Sequence, residues 1–353
     1  MSTAAKNRLF FWLGPWSRPW TPSPHECLQE PINLPGQEET RSRLSRLRIF
    51  LPRRRAVGAL FVIPGLHFQG FDHPELHRLV CSLAHAGFVV GAPDIPDFLN
   101  LRFHQRSLDD ANTLFQSFIE HERVPFAQVG LLSISLGSRL AFSISARAPE
   151  KINKLITFGG YFDWKSALQF CLNGRGTRKH DPLNRPIIFA ALQEDLPKTN
   201  DIEAVAEAWV TFARRTWGKN PLKNMDSIKK IANDWQTNFS PEGRLLFEQG
   251  LGIAAGGNIL IKKALESSAT LHWLDPSHDL TKLSCSYLAV HARNDDVVEY
   301  EQSEALVRHA TRARKTRCIL TGMYSHSTQT VPSFREMATE IKQLREIISH
   351  VAA

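Results

Sequence analysis

The chain has 353 residues, 42% hydrophobic and 22% charged, with a formal net charge of +8. That is ordinary composition for a soluble globular protein, with enough apolar chain for one large core or a core plus an inserted subdomain. Five cysteines (Cys27, Cys81, Cys171, Cys285, Cys318) are odd in number, far apart and without C-x-x-C spacing. They argue against a disulfide framework or a zinc site and for a reducing, cytoplasmic setting, with Cys81 and Cys285 as plain core residues. The positive charge suits an anionic lipid surface, acidic substrates or nucleic acid, or simply a solvated basic surface.

Residues 1–36 read unlike a domain core, and 1–40 are taken as an N-terminal extension. The apolar run Leu9–Trp16 is too short to span a bilayer and holds Gly14 and Pro15. No small-residue cleavage site follows it, so it is not read as a signal peptide. Two readings remain open. The aromatic residues beside Lys6, Arg8 and Arg18 dip into a membrane interface, making the protein membrane-peripheral, or the segment packs across the folded domain.

Arg41 to Arg55 carries seven arginines and no acid, partly alternating as Arg46-Leu-Arg-Ile-Phe-Leu. This predicts a solvent-edge strand with one basic face. Neither a pattern of base-stacking aromatics interleaved with the arginines nor a recognisable nucleic-acid module is evident, so a nucleic-acid partner is not expected and a charged edge strand is the preferred reading. Gly58-Ala-Leu-Phe-Val-Ile predicts a fully buried strand, ending in Pro64-Gly65-Leu66-His67. A helix follows, with Asp72 as N-cap and Pro74 in its first turn. Gly87-Phe-Val-Val-Gly-Ala-Pro is the next strand, and a helix begins near Ser107 and runs to about Glu122.

Val129-Gly-Leu-Leu-Ser-Ile-Ser-Leu-Gly-Ser-Arg-Leu then reads as buried strand, very tight turn and helix. Ser135 stands at the apex, flanked by Ser133 and Gly137, small enough for strand and helix backbones to pass. Its hydroxyl is expected at the carboxyl edge of a parallel sheet, ahead of a helix N-terminus that favours developing negative charge. Ile152–Phe158 is a further strand. Alternation from Gly58 to Phe158 predicts a mostly parallel sheet with helices on both faces, its ligand site at the strands' carboxyl ends.

Residues 164–280 break the pattern. Helical periods appear around Ile202, Met225 and Glu242, separated by Gly, Pro, Asn and Lys. This predicts an inserted helical lid, whose Trp209, Phe212, Trp217 and Trp235 either line a pocket or form core. Alternation resumes with Leu283–His291, followed by Asp295-Asp296-Val-Val298, and with Arg317-Cys-Ile-Leu, followed by a turn and His326. A final helix runs from about Ser333 to Val351.

Together these motifs resemble the α/β-hydrolase superfamily. Ser133-x-Ser135-x-Gly137 resembles its nucleophile elbow, with a serine at the usual first glycine. The order Ser135, Asp295, His326, each just past a buried strand, resembles its triad. The resemblance covers about Arg46 to Val351, as a core of residues 41–163 and 281–353 with the lid at 164–280. It implies Ser135 as nucleophile, His326 as base and Asp295 as acid, with Asp296 and the more distant Asp163 as rivals. The backbone N–H groups of Leu136 and Leu66, with His67 as second choice, would bind the oxyanion. The implied activity is hydrolysis of a small-molecule carboxylic ester or thioester with an apolar acyl chain, through an acyl-serine and without metal or organic cofactor. Two other readings are a non-catalytic hydrolase-fold binding protein and an acyltransferase. Fold and triad leave the substrate and the oligomeric state open.

Overall fold

The computed structural model describes residues 3–17, 20–35, 43–235, 239–323 and 334–353. Eight strands form one sheet: β1 (Glu26–Leu34), β2 (Arg43–Leu51), β3 (Gly58–Ile63), β4 (Phe88–Pro93), β5 (Val129–Ile134), β6 (Ile152–Phe158), β7 (Ser286–Ala292) and β8 (Lys315–Thr321). Their order is β1-β2-β4-β3-β5-β6-β7-β8. The β1–β2 and β2–β4 pairs are antiparallel and all later pairs are parallel. The central strands are continuous runs of buried apolar residues, which a strand covered on both faces requires.

Helices supply that cover. In chain order they are α1 (Thr3–Leu13), α2 (Pro74–Ala86), a single turn α3 (Pro96–Leu99), α4 (Ser107–Glu120) and α5 (Gly137–Arg147). Then come α6 (Trp164–Asn173), α7 (Arg185–Ala191), α8 (Ile202–Thr216), α9 (Met225–Ala232), α10 (Pro241–Gly250), α11 (Gly257–Ser267), α12 (Ser277–Leu280), α13 (Tyr300–His309) and α14 (Phe334–Ala352). One core layer gathers Leu9 of α1, Leu76, Val80 and Leu83 of α2, and Leu344, Ile347 and Ile348 of α14 against the sheet. The other gathers α4, α5, α13 and the helices between β6 and β7. Phe61 of β3 shows the packing: its ring centroid lies 5.4 Å from those of both Phe115 and Phe118. Burying such a ring contributes about 2–3 kcal/mol.

Three local expectations are corrected. Residues 26–34, read as part of an extension, form β1, which pairs with β2 over nine residues and occupies the sheet edge. β2 is therefore interior, not a solvent edge. Its basic face is neutralised: Arg48, 5% exposed, donates to Asp72 at 2.7 Å and Asp94 at 2.8 Å, and Arg46 donates to Asp94 at 2.8 Å. Asp72 is thus drawn to Arg48, and the N-cap of α2 is His73, whose side chain makes no capping bond.

The helical run after β6 has recognisable starts. Asp163 caps α6 by accepting from Ser166 N at 3.1 Å, Asn224 caps α9, and Ser240 caps α10. Such caps are each worth about 1 kcal/mol. Trp209, Phe212 and the edge-on Phe189 are buried here as core.

Candidate active site

The site is built where β5 turns into α5. Ser135 has φ of 50°, one of two non-glycine residues with positive φ among those described. A residue held there costs about 1–3 kcal/mol of strain and persists only where its surroundings enforce it. They do so here: Ser135 N donates to Phe158 O of β6 at 2.7 Å, and Ser138 N donates back to Ser135 O at 2.9 Å. The turn is tight against β3. A Cβ on Gly137 would lie 2.3 Å from Pro64 O and 3.1 Å from Ile63 O, so only glycine fits. Ser133 is fully buried, and its hydroxyl has no hydrogen-bond partner among the described residues. It fits the first small position sterically without being polar-satisfied.

The loop after β3 reaches the same point. A Cβ on Gly65 would sit 3.4 Å from the Ser135 Cβ, so the peptide leading to Leu66 borders the serine. Among the described residues no backbone hydrogen bond is formed by the N–H of Leu66 or Leu136. Both residues line the cavity beside Ser135.

After β7, Asp295 is buried and locked. Its Oδ1 accepts from Val297 N at 2.9 Å and Val298 N at 2.8 Å, and its Oδ2 lies 3.4 Å from His291 Nε2. Asp296, next in the chain, points elsewhere: its Oδ2 accepts from Lys223 Nζ at 3.2 Å. The more distant rival, Asp163, is exposed and occupied as the cap of α6. His326 lies outside the described residues. The strand that leads towards it ends at Thr321, and β8 is parallel to β7, so both strands finish at the edge that carries Ser135.

Three groups around these residues were not legible in the sequence. Lys223 also binds Asp181 at 2.8 Å, and Asp181 N donates to Asp296 O at 2.9 Å, so residues before α7 and before α9 are tied to the Asp295 loop. His291 is buried, with Nδ1 2.6 Å from Ser303 Oγ and Nε2 2.9 Å from Val298 O. Glu340 of α14 is fully buried and accepts from Thr321 Oγ1 at 2.7 Å, Gly322 N at 2.9 Å and Arg293 Nη1 at 2.7 Å. It joins the segments that leave β7 and β8. The Lys223 to Asp296 and Glu340 to Arg293 pairings span 73 and 47 residues, so no local pattern announces them, whereas His291 bonds to the loop after β7 and to α13.

The cavity beside Ser135 has a volume of about 240 Å³. Phe103, Trp164, Ile187, Ile188, Trp217 and Leu274 are among the residues of its apolar wall. Of Trp209, Phe212, Trp217 and Trp235, Trp217 alone lines it. Trp235 instead packs near Phe212 and Phe247. His67 and His73 stand at the wall with rings 4.8 Å apart, and His67 stacks on Trp217 at 5.8 Å. Burial, and secondarily His73, lower the His67 pKa to about 4. It is therefore neutral near pH 7. Cys171, also in the wall, has its thiol pKa pushed up by burial, which makes it unreactive. Among the described residues no group of three His, Cys, Asp or Glu side chains is placed to hold a metal, and no helix is long and apolar enough to cross a membrane.

No protein-family model and no curated protein sequence matches the chain. Solved structures do. An acylaminoacyl peptidase from Pyrococcus horikoshii aligns over 96% of this chain and 41% of its own, with 9% identity and a TM-score of 0.50. A 2,6-dihydroxy-pseudo-oxynicotine hydrolase aligns over 92% of this chain and 67% of its own, with 12% identity and a TM-score of 0.50. DcsB, in complex with its substrate analogue, aligns over 91% of this chain and 99% of its own, at 13% identity and a TM-score of 0.50. At such identities the likeness concerns architecture alone. The chain has the fold of the α/β-hydrolase superfamily.

Proposed function

We propose that the protein is a serine hydrolase that cleaves a carboxylic ester or thioester through an acyl-serine on Ser135. The observation that carries this is the strained Ser135, held at φ 50° beside an apolar cavity and two available backbone amides. A serine at such a cost is hard to account for without a use for its hydroxyl.

In the reaction, Ser135 Oγ attacks the substrate carbonyl carbon as the His326 imidazole takes its proton. The carbonyl oxygen becomes an oxyanion, which the Leu66 and Leu136 N–H groups stabilise. Losing one such donor typically costs about 3 kcal/mol of barrier. The tetrahedral species collapses, breaking the bond to the alcohol or thiol, which leaves with the imidazolium proton. Water then attacks the acyl-serine by the same steps and releases the acid. Asp295 orients the imidazole and stabilises its charged form. It suits that role better than Asp296, because Lys223 already holds the Asp296 carboxylate.

The cavity supports a compact apolar acyl group. An apolar cavity of about 150 Å³ accepts benzene. A volume of about 240 Å³ has room for an aromatic ring with a short tail or a medium-length chain. The test is labelling with a fluorophosphonate probe, followed by turnover of p-nitrophenyl esters and acyl thioesters of graded length. Wild type is expected to label and Ser135→Ala not to. Folded wild type that neither labels nor turns over any ester or thioester defeats the proposal and leaves a binding protein.

A further inference from the structure

The edge of the molecule opposite the site carries a second chemistry. Arg53, Arg54 and Arg55 follow β2, are exposed, and form no ion pair among the described residues. Burial, and then the charges of Arg8 of α1, Arg53 and Arg54, hold the pKa of His85 near the end of α2 below its usual value, so these arginines lie around one point. Arg8 Nη2 donates to Ala86 O at 3.2 Å. Large apolar side chains surround this charge. Trp20 is 59% exposed, Phe11 46% and Val57 43%. They belong to the same patch. The Trp12 ring lies 5.2 Å from Phe11 and 5.7 Å from His85, Val57 N donates to Gly87 O, and the Trp20 carbonyl accepts from Arg78 of α2.

Unpaired arginines among exposed tryptophan, phenylalanine and valine match an anionic bilayer surface in both respects. The cations meet lipid phosphates and carboxylates, and the apolar side chains enter the headgroup boundary. Nucleic acid would use the arginines and could stack on the rings, but offers nothing to Val57. We propose that this patch docks the protein peripherally on anionic phospholipid membranes. The proposal is independent of the hydrolase reading. Val57 and Gly87 precede β3 and β4, whereas Ser135 and Leu66 follow the parallel strands β5 and β3. A six-residue strand is about 20 Å long. Docking by this patch therefore leaves the Ser135 edge facing away from the lipid.

The test is co-sedimentation of the full chain with vesicles of phosphatidylcholine and phosphatidylserine, mixed 3:1, against pure phosphatidylcholine. Wild type is expected to bind the mixed vesicles at 0.1 M salt and to be released at 0.5 M. Each surface arginine is worth about a 5-fold change in partition, so Arg53→Gln/Arg54→Gln should weaken binding about 25-fold. Trp20→Ala should weaken it several-fold. Both variants change exposed side chains, and unaltered thermal midpoints confirm their folding. In vesicles containing brominated lipid, wild-type fluorescence should be quenched more than that of Trp20→Phe. Absence of wild-type binding at 0.1 M salt overturns the proposal, as does binding insensitive to all these substitutions. Arginine-dependent binding to a single-stranded oligonucleotide without vesicle binding also overturns it.

Discussion

Replacing Gly137 by alanine tests how the elbow is assembled. The added Cβ would meet Pro64 O at 2.3 Å, where real contacts of this kind begin above 3.0 Å. Relief needs a movement of nearly 1 Å, and the obstructing atom is backbone, so no side chain can swing aside. Overpacking of a tight site costs about 1–3 kcal/mol, and a backbone clash belongs at the upper end. In a chain of this size that is a drop of roughly 5 °C in thermal midpoint. The displaced element is the Pro64–Leu66 loop, which carries one proposed oxyanion donor. A misplacement of about 1 Å typically costs 10²-fold in rate. Gly137→Ala should therefore lose about 3 kcal/mol in urea or thermal unfolding and about two orders of magnitude in fluorophosphonate labelling rate. A variant with wild-type midpoint and labelling rate would refute the claimed contact between elbow and loop.

Asp295→Asn should lower ester turnover by about 10³- to 10⁴-fold, whereas Asp296→Asn should change it less than about 10-fold; steady-state kinetics decide, and a reversed order assigns the acid to Asp296. Ser133→Ala removes a buried hydroxyl with no partner among the described residues and should stabilise the fold by about 1 kcal/mol in urea melts, with labelling unchanged. His67 is held neutral in the fold, with a pKa lowered to about 4, while the unfolded imidazole titrates near 6.5. The unfolded state thus gains the proton first as pH falls. Stability associated with this group is complete above about pH 6.5 and is lost as pH falls towards 4, by about 2 kcal/mol after allowing for partial exposure. His67→Gln should flatten that part of the stability–pH curve measured by urea unfolding.

The central strands were legible because doubly covered strands must be continuously apolar, and β3 to β6 are. β1 was not, because an edge strand needs only one buried face. Its residues alternate, include Pro31, and are mostly half-buried or exposed. The basic face of β2 was visible, but Asp94, which neutralises it, lies more than 40 residues later. The elbow was legible from steric demand alone, since small residues must flank a serine placed at φ 50°. The surroundings of Asp295 were not. Lys223, Asp181 and Glu340 reach the site from the helical run between β6 and β7 and from α14, and nothing in their own neighbourhoods marks them.

The placement of the helical run between β6 and β7 bears on how the chain is made. Ser286 leaves the ribosome 128 residues after Phe158. At about 5–20 residues per second, β6 waits roughly 6–25 s for its neighbour. During that interval one side of a growing sheet presents bare N–H and C=O groups, a template for any other nascent strand. Helix α8, the longest of the helices in between at 15 residues, samples its local turns within microseconds of emerging. Synthesis is therefore most exposed to self-association in the stretch when the half that carries Ser135 is complete and β7 has yet to arrive.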